Sequence, residues 1–329
     1  MCSPPARPRG ARRRLHVGGG ATQPQPLARG YPHVPAPQLL RTPAKTLTIR
    51  DNGRSADFVA PNFIYGCLGG CRDTYCYVSR YNHGEVRVYE DVDRILAAVD
   101  RHAMRQPWPK APTQCDPVYH TYDIGCSTDV ALHYKHTDWE RVFAFFRDHP
   151  RAKATFATKY VQPALLTWDV GRERKVRIRF SLMPEPMRAI VEPNTHDIQR
   201  RLAAIAPFLA AGYEVHVNFS PIVYYDEWLD DYRELFRDLD AAVPAAERPG
   251  VKCEAILLTH NPWQHERNVA NGHGERERFL WQPDLQEAKE GNYGSAAVRY
   301  RRDLKRFLAA EWRGVLQEEI PWCEVRYLF

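Results

Sequence analysis

The sequence predicts an α/β fold, a partial (β/α)6 barrel with a mostly parallel sheet, preceded by a disordered tail and followed by a C-terminal extension. Three observations predict it. Strand-like runs alternate with helical stripes five or six times at a spacing of roughly 35 residues, as βα units with right-handed crossovers require. Residues 1–42 hold eight of the 26 prolines, the Gly18-Gly19-Gly20 run and few large apolar groups, too little burial to offset the entropy of ordering. Beyond about His260 the regular alternation stops.

The elements follow in order. After the tail, the barrel is expected over 43–260. Val92, Ile95, Leu96 and Val99 fall at i, i+3, i+4 and i+7 behind a candidate Asp91 cap, and Trp139, Val142, Phe143 and Phe146 repeat that spacing. Ile198, Leu202, Ile205 and Leu209 make a third stripe, Trp228, Leu235 and Leu239 a fourth. Between them lie β-branched and aromatic runs at 118–124, 154–158, 176–182, 213–219 and 251–258, which read as strands. The extension, 261–329, is expected to contribute to the substrate site, with a basic, aromatic helix near 299–312 and a last strand at 323–328.

Composition bounds the function. The formal charge of +6 is segregated: residues 1–50 carry nine of the 46 basic side chains and no acidic one, leaving 37 basic against 40 acidic groups in the body. From charge alone, non-specific, salt-sensitive affinity for polyanions is expected of the tail, and specific contacts of local residues around the barrel mouth. No apolar run reaches the roughly 18–20 residues that span a bilayer; 203–213 is shorter and holds Pro207. Eight cysteines in 329 residues are too few for a disulfide scaffold. A cytoplasmic, reducing setting is expected. No GxxxxGK[ST], GxGxxG or HExxH motif is present. His133 and His136 are expected at the surface, and Asp230 and Asp231 on the solvent side of a helix.

The chemistry concentrates in the segment Tyr65-Gly66-Cys67-Leu68-Gly69-Gly70-Cys71-Arg72-Asp73-Thr74-Tyr75-Cys76-Tyr77. Three thiolates on a Gly-rich loop, Cys67, Cys71 and Cys76, can hold three irons of a [4Fe–4S] cluster and leave the fourth open. An open iron at a barrel mouth suits S-adenosylmethionine (SAM), whose amino and carboxylate groups can chelate it, as in radical SAM chemistry. The alternative is a zinc site completed by Cys126 or His83, which would make the chain a non-catalytic nucleic-acid-binding module.

The segment at 67–77 is followed in order by Tyr122-Asp123-Ile124-Gly125-Cys126-Ser127-Thr128-Asp129, Thr158-Lys159, Arg179-Phe180-Ser181, Glu192-Pro193-Asn194-Thr195, Ala211-Gly212-Tyr213 and Glu227-Trp228. Together, from about Val59 to the C-terminus, these resemble the spore photoproduct lyase family. The family's usual CX3CX2C cluster is CX3CX4C here. The resemblance implies a radical SAM carbon–carbon lyase that repairs 5-thyminyl-5,6-dihydrothymine in DNA, with an electron donor such as a flavodoxin or ferredoxin. Another nucleic-acid lesion or a peptide is the alternative substrate.

Carried over by position, the resemblance makes Cys126 the hydrogen-atom donor and Tyr75 and Tyr77 a radical relay. Thr128 and Lys159 become SAM contacts, and Ser181 reaches the ribose. Asn292-Tyr293-Gly294 falls where the family places a hairpin against the lesion. Tyr293, Arg299 and Tyr300 are the implied substrate contacts, Arg301 and Arg302 further phosphate contacts. An Arg is expected at the position of Asn292. Cys2, Cys115, Cys253 and Cys323 are expected to be inert thiols.

Overall fold

The computed structural model describes residues 37–69, 74–76, 85–290 and 296–329. Its strands are β1 (Gln38–Leu40), β2 (Arg50–Asp51), β3 (Phe58–Val59), β4 (Ile64–Tyr65), β5 (Arg87–Tyr89), β6 (His120–Asp123), β7 (Ala152–Thr158), β8 (Val176–Ser181), β9 (Glu214–Ile222), β10 (Lys252–Leu257), β11 (Thr259–His260), β12 (Gln286–Glu290), β13 (Ala296–Tyr300) and β14 (Glu324–Leu328). Eight of them form the main sheet, in the order β14-β10-β9-β8-β7-β6-β3-β2. Each neighbouring pair from β14 to β3 is parallel, and β2 lies antiparallel at the edge.

The sheet curls. On β14, Arg326 donates to the carbonyls of Gln114 (2.9 Å), Ser55 and Cys115 (3.3 Å each). Those carbonyls precede β3 and β6, at the opposite side of the strand order, so the sheet closes into a half-barrel. Side chains alternate along each strand. Ile178 and Phe180, Val215 and Val217, and Cys253 and Ala255 join the apolar core.

The other face is ionic. Arg177 bridges Asp116 (3.1 Å) and Glu214 (3.0 Å), Arg179 bridges Asp123 (2.8 Å) and Glu254 (2.9 Å), and Arg326 returns to Glu254 (2.7 Å). Lys153 pairs with the same Asp116 (2.8 Å) and with Glu214. Burying these ions is tolerated because each has an opposite charge within contact.

The predicted helices form with local differences. α1 (Val92–Arg105) starts at Asp91, but that carboxylate makes no cap; it accepts the Thr42 N–H (2.9 Å) and ties the N-terminal segment down. α2 (Trp139–Asp148) is capped by Asp138, which accepts from the Arg141 N–H. After α3 (Glu185–Val191), the single stripe expected over 198–209 is two helices, α4 (Ile198–Ala203) and α5 (Ile205–Ala210). Pro207 explains the break: it has no N–H to give Ala203 and its ring crowds that carbonyl. α5 ends in Gly212 at φ +97°, where a Cβ would stand 2.2 Å from the Gly171 carbonyl oxygen; glycine is required. α6 (Trp228–Ala242) follows; its Asp230 is exposed, whereas Asp231 is half-buried and accepts from the Tyr225 hydroxyl (2.7 Å).

Two regions depart from expectation. Regular structure begins at Gln38, ahead of the boundary at 42, because β1 pairs with β5. The C-terminal extension holds α7 (Pro262–Ala270), α8 (Gly274–Leu280), β12 and β13, which form an antiparallel trio with β11 just before it, and α9 (Arg302–Glu319). The expected helix near 299–312 therefore starts only at Arg302, and Arg299 and Tyr300 lie on β13. Among the described residues no helix is long and apolar enough to cross a membrane.

Candidate active site

Parallel strands deliver their following loops to one end of the barrel, and four of the singled-out residues sit there: Cys126 and Thr128 follow β6, Lys159 follows β7, and Ser181 ends β8. Cys67 follows β4, which lies outside that sheet and pairs antiparallel with β5 in a three-stranded sheet with β1. The loops after β4 and β6 are stitched together: the Gly66 N–H donates to the Ser127 carbonyl (3.0 Å), and the Thr128 hydroxyl donates to the Gly66 carbonyl (2.8 Å). Cys126 is thus one residue from the point where its loop touches that of Cys67.

The sulfur of Cys67 is cradled. It accepts the Gly69 N–H at 3.2 Å and a second from the Asp129 backbone. Burial, then the Asp129 carboxylate and Cys76, pushes this thiol up from its ordinary value; a coordinating cation reverses that logic and strips the proton. A Cβ on Gly69 would stand 3.1 Å from the Cys67 Sγ and 3.4 Å from the Tyr160 hydroxyl. Backbone donors aimed at sulfur and a glycine that keeps the space clear fit an iron–sulfur cluster. Cys71, Tyr77, His83, Asn292 and Tyr293 lie outside the described residues; among those described, no three His, Cys, Asp or Glu side chains converge as metal ligands.

His133 is not the surface histidine expected. It is fully buried, and its Nε2 accepts the Leu68 N–H (3.2 Å) while Nδ1 meets His136 Nδ1 (3.1 Å). Burial, with His136 beside it, holds its pKa down to about 4. A neutral imidazole therefore buttresses the cysteine loop.

Glu192 organises the next layer. It is fully buried; Tyr75 donates its phenol to Oε1, Lys159 Nζ lies 3.6 Å from the same oxygen, and Arg201 Nη2 is 3.1 Å from Oε2. Against the penalty of burial, Lys159, Arg201 and the Tyr75 hydroxyl hold this carboxyl below its ordinary range. Arg201 also donates to the Ser181 carbonyl (2.7 Å), which ties the end of β8 to the Glu192 turn. Asp129 joins the loops after β6 and β7, accepting from the Thr158 hydroxyl (2.7 Å) and the Lys159 N–H (2.9 Å).

The predicted substrate contacts separate. Arg299 is half-buried on β13 and pairs with Glu287 (2.9 Å). Tyr300 is 1% exposed and its hydroxyl accepts the Tyr224 N–H (2.8 Å); it is packed inside and does not face solvent. Arg301 and Arg302 are exposed.

Sequence reasoning assigned no role to Glu192, Arg201, Asp129 or Asn218, although Glu192 stood in a quoted motif. Asn218 lies beside Ser181 in the register, and its Oδ1 is buried with no partner among the described residues. Period-two charges in Val176-Arg177-Ile178-Arg179 were the available signal.

The family model for spore photoproduct lyase matches residues 39–329. This chain belongs to the spore photoproduct lyase family. It is accordingly a radical SAM lyase whose cofactors are a [4Fe–4S] cluster and SAM, and the zinc-stabilised binding module is set aside. Spore photoproduct lyases of Bacillus subtilis strain 168 and Geobacillus sp. strain Y412MC61 are 25% and 24% identical over 285 residues, 86% of this chain and 79% and 80% of theirs. In fold, the chain resembles a spore photoproduct lyase complexed with dinucleoside spore photoproduct (TM-score 0.76, 22% identity, 88% of this chain and 82% of that one). It also resembles a variant of that enzyme with bound AdoMet and the same dinucleoside (TM-score 0.77, 20% identity, 92% and 88%).

Proposed function

We propose that this lyase repairs 5-thyminyl-5,6-dihydrothymine in DNA, with Cys126 as its hydrogen-atom donor. The observation that carries the assignment of roles is the stitching of the Cys126 loop onto the Cys67 loop through Gly66, Ser127 and Thr128. When bound by Cys67, Cys71 and Cys76, the cluster with SAM supplies the radical chemistry. Cys126 gives its thiol hydrogen to the carbon radical left on the released thymine. Tyr75, with Tyr77, returns a hydrogen atom to the resulting thiyl; its phenol proton is already held against the ionised Glu192 carboxylate. Lys159 and Thr128 hold SAM, and Ser181 meets its ribose from the end of β8. Tyr293 stacks on the flipped base, a step made cheaper by the lesion's poor pairing.

The proposal includes a flavodoxin- or ferredoxin-class electron donor and a cytoplasmic setting.

Anaerobically reconstituted enzyme with SAM, reductant and the dinucleoside photoproduct is expected to release thymine residues. Cys126→Ala is expected to keep SAM cleavage and substrate loss but divert the product to aberrant adducts. An unchanged product profile would remove Cys126 from the donor role.

A further inference from the structure

On the hairpin of β12 and β13, Glu287 stands opposite Arg299 and Lys289 opposite Ala297. Alternate residues of a strand share a face, so Glu287, Lys289 and Arg299 stand together. Phe329, just beyond β14, carries the Arg54 guanidinium over its ring at 4.1 Å and Lys305, from the first turn of α9, at 5.9 Å. Arg54 and three cations from 289–305 thus come together. The ammonium groups of Lys289 and Lys305 are held below the usual lysine range, first by burial and then by Arg299 and the other cations of the group, Arg54 among them. Among the described residues, Glu287 is the one carboxylate that forms an ion pair with any of the four.

Four positive charges against one negative repel each other, and an anion from outside relieves that repulsion. Arg54 is exposed and the other three are half-buried, so an incoming anion can reach them. Lys289 and Arg299 stand on the strands that flank 291–295, the segment holding Tyr293.

We propose that Arg54, Lys289, Arg299 and Lys305 form a phosphodiester-binding cluster that holds the DNA backbone. The proposal rests on the reading of DNA as substrate. It assigns backbone positioning to a patch that a dinucleoside, having no flanking backbone, does not use.

The test titrates the full-length, cluster-loaded protein with a fluorescent undamaged DNA duplex between 50 and 200 mM salt, under anaerobic conditions. The double variant K289A/K305A is expected to bind more weakly at low salt, and its log–log salt slope to shrink by roughly 1 for each side chain removed. K289R/K305R is expected to keep the wild-type slope, and all three proteins to retain turnover of the dinucleoside photoproduct. Wild-type affinity and slope in K289A/K305A would overturn the cluster while leaving the repair reading intact. Failure of the wild-type protein to turn over the dinucleoside would overturn the repair reading, with the slope still deciding the cluster.

Discussion

Glu192 meets Tyr75 and Lys159 on one oxygen and Arg201 on the other, so the consequences of its loss can be ordered. Glu192→Leu strands the fully buried Arg201 without its counter-charge, and breaking a buried pair from one side costs about 3–5 kcal/mol. Glu192→Gln keeps acceptor geometry and loses only charge, so a smaller cost, about 1–3 kcal/mol, is expected. Denaturant midpoints of the two variants check the order, and a wild-type midpoint in Glu192→Gln would show that Glu192 is not ionised. Gly69→Ala tests the cradle at the same scale: with 3.1 Å to the Cys67 Sγ, the added methyl displaces that sulfur by a few tenths of an ångström, and less iron per chain is expected after reconstitution. The motif that holds Glu192 was visible in the sequence, but its partner was not. Nine residues separate Glu192 from Arg201, and only the turn between α3 and α4 folds the guanidinium back onto the carboxylate.

α7 and α8 act on the cysteine loop from outside the barrel. Asn268, on the buried side of α7, donates to the Thr74 carbonyl (2.8 Å) and to Glu277 of α8, while Glu277 also meets His260 (3.1 Å) and His265 (2.6 Å). Through the bond to Thr74, a helix of the extension holds the backbone two residues before Cys76. Asn268→Ala is expected to leave a folded protein that loses iron about tenfold faster on desalting, the low end of what contacts behind metal ligands cost. Iron retention equal to wild type would confine Asn268 to packing within the extension. Periodicity made α1, α2 and α6 legible because each buries one continuous apolar stripe. It misplaced the boundary at 299–302, because Arg299 and Tyr300 pair with β12 through tertiary contacts that local pattern does not contain.

The whole molecule should be acid-sensitive. His133 and His216 are buried and held neutral, with pKa values lowered to about 4 and about 3; His196 is lowered to about 4 in the same direction. In each case burial is the first cause. The unfolded chain takes up these protons below about pH 6.5 and the folded chain does not, so stability present above that pH declines as pH falls toward 4. For the two fully buried rings the slope reaches about 3 kcal/mol per pH unit. Asp123 and Asp129, whose carboxyls burial pushes up, offset part of the loss at the acid end. Urea midpoints at pH 7.5, 6 and 5 are expected to fall in that order, and a flat profile would mean that the histidines titrate normally.

The sequence by itself determined the βα alternation, the cysteine loop and the placing of Cys126, Lys159 and Ser181 at strand ends, because these depend on local periodicity and on chain order in a parallel sheet. Tertiary structure decided the rest. Whether Arg177 and Arg179 face water or a buried carboxylate depends on sheet curvature, and their partners lie up to 75 residues away. The same holds for His133 beneath the cysteine loop, for Tyr300 turned inward and for Arg54 and Lys305 over Phe329. A side chain's charge is written in the sequence, but the environment that sets its energy is assembled only when distant segments meet.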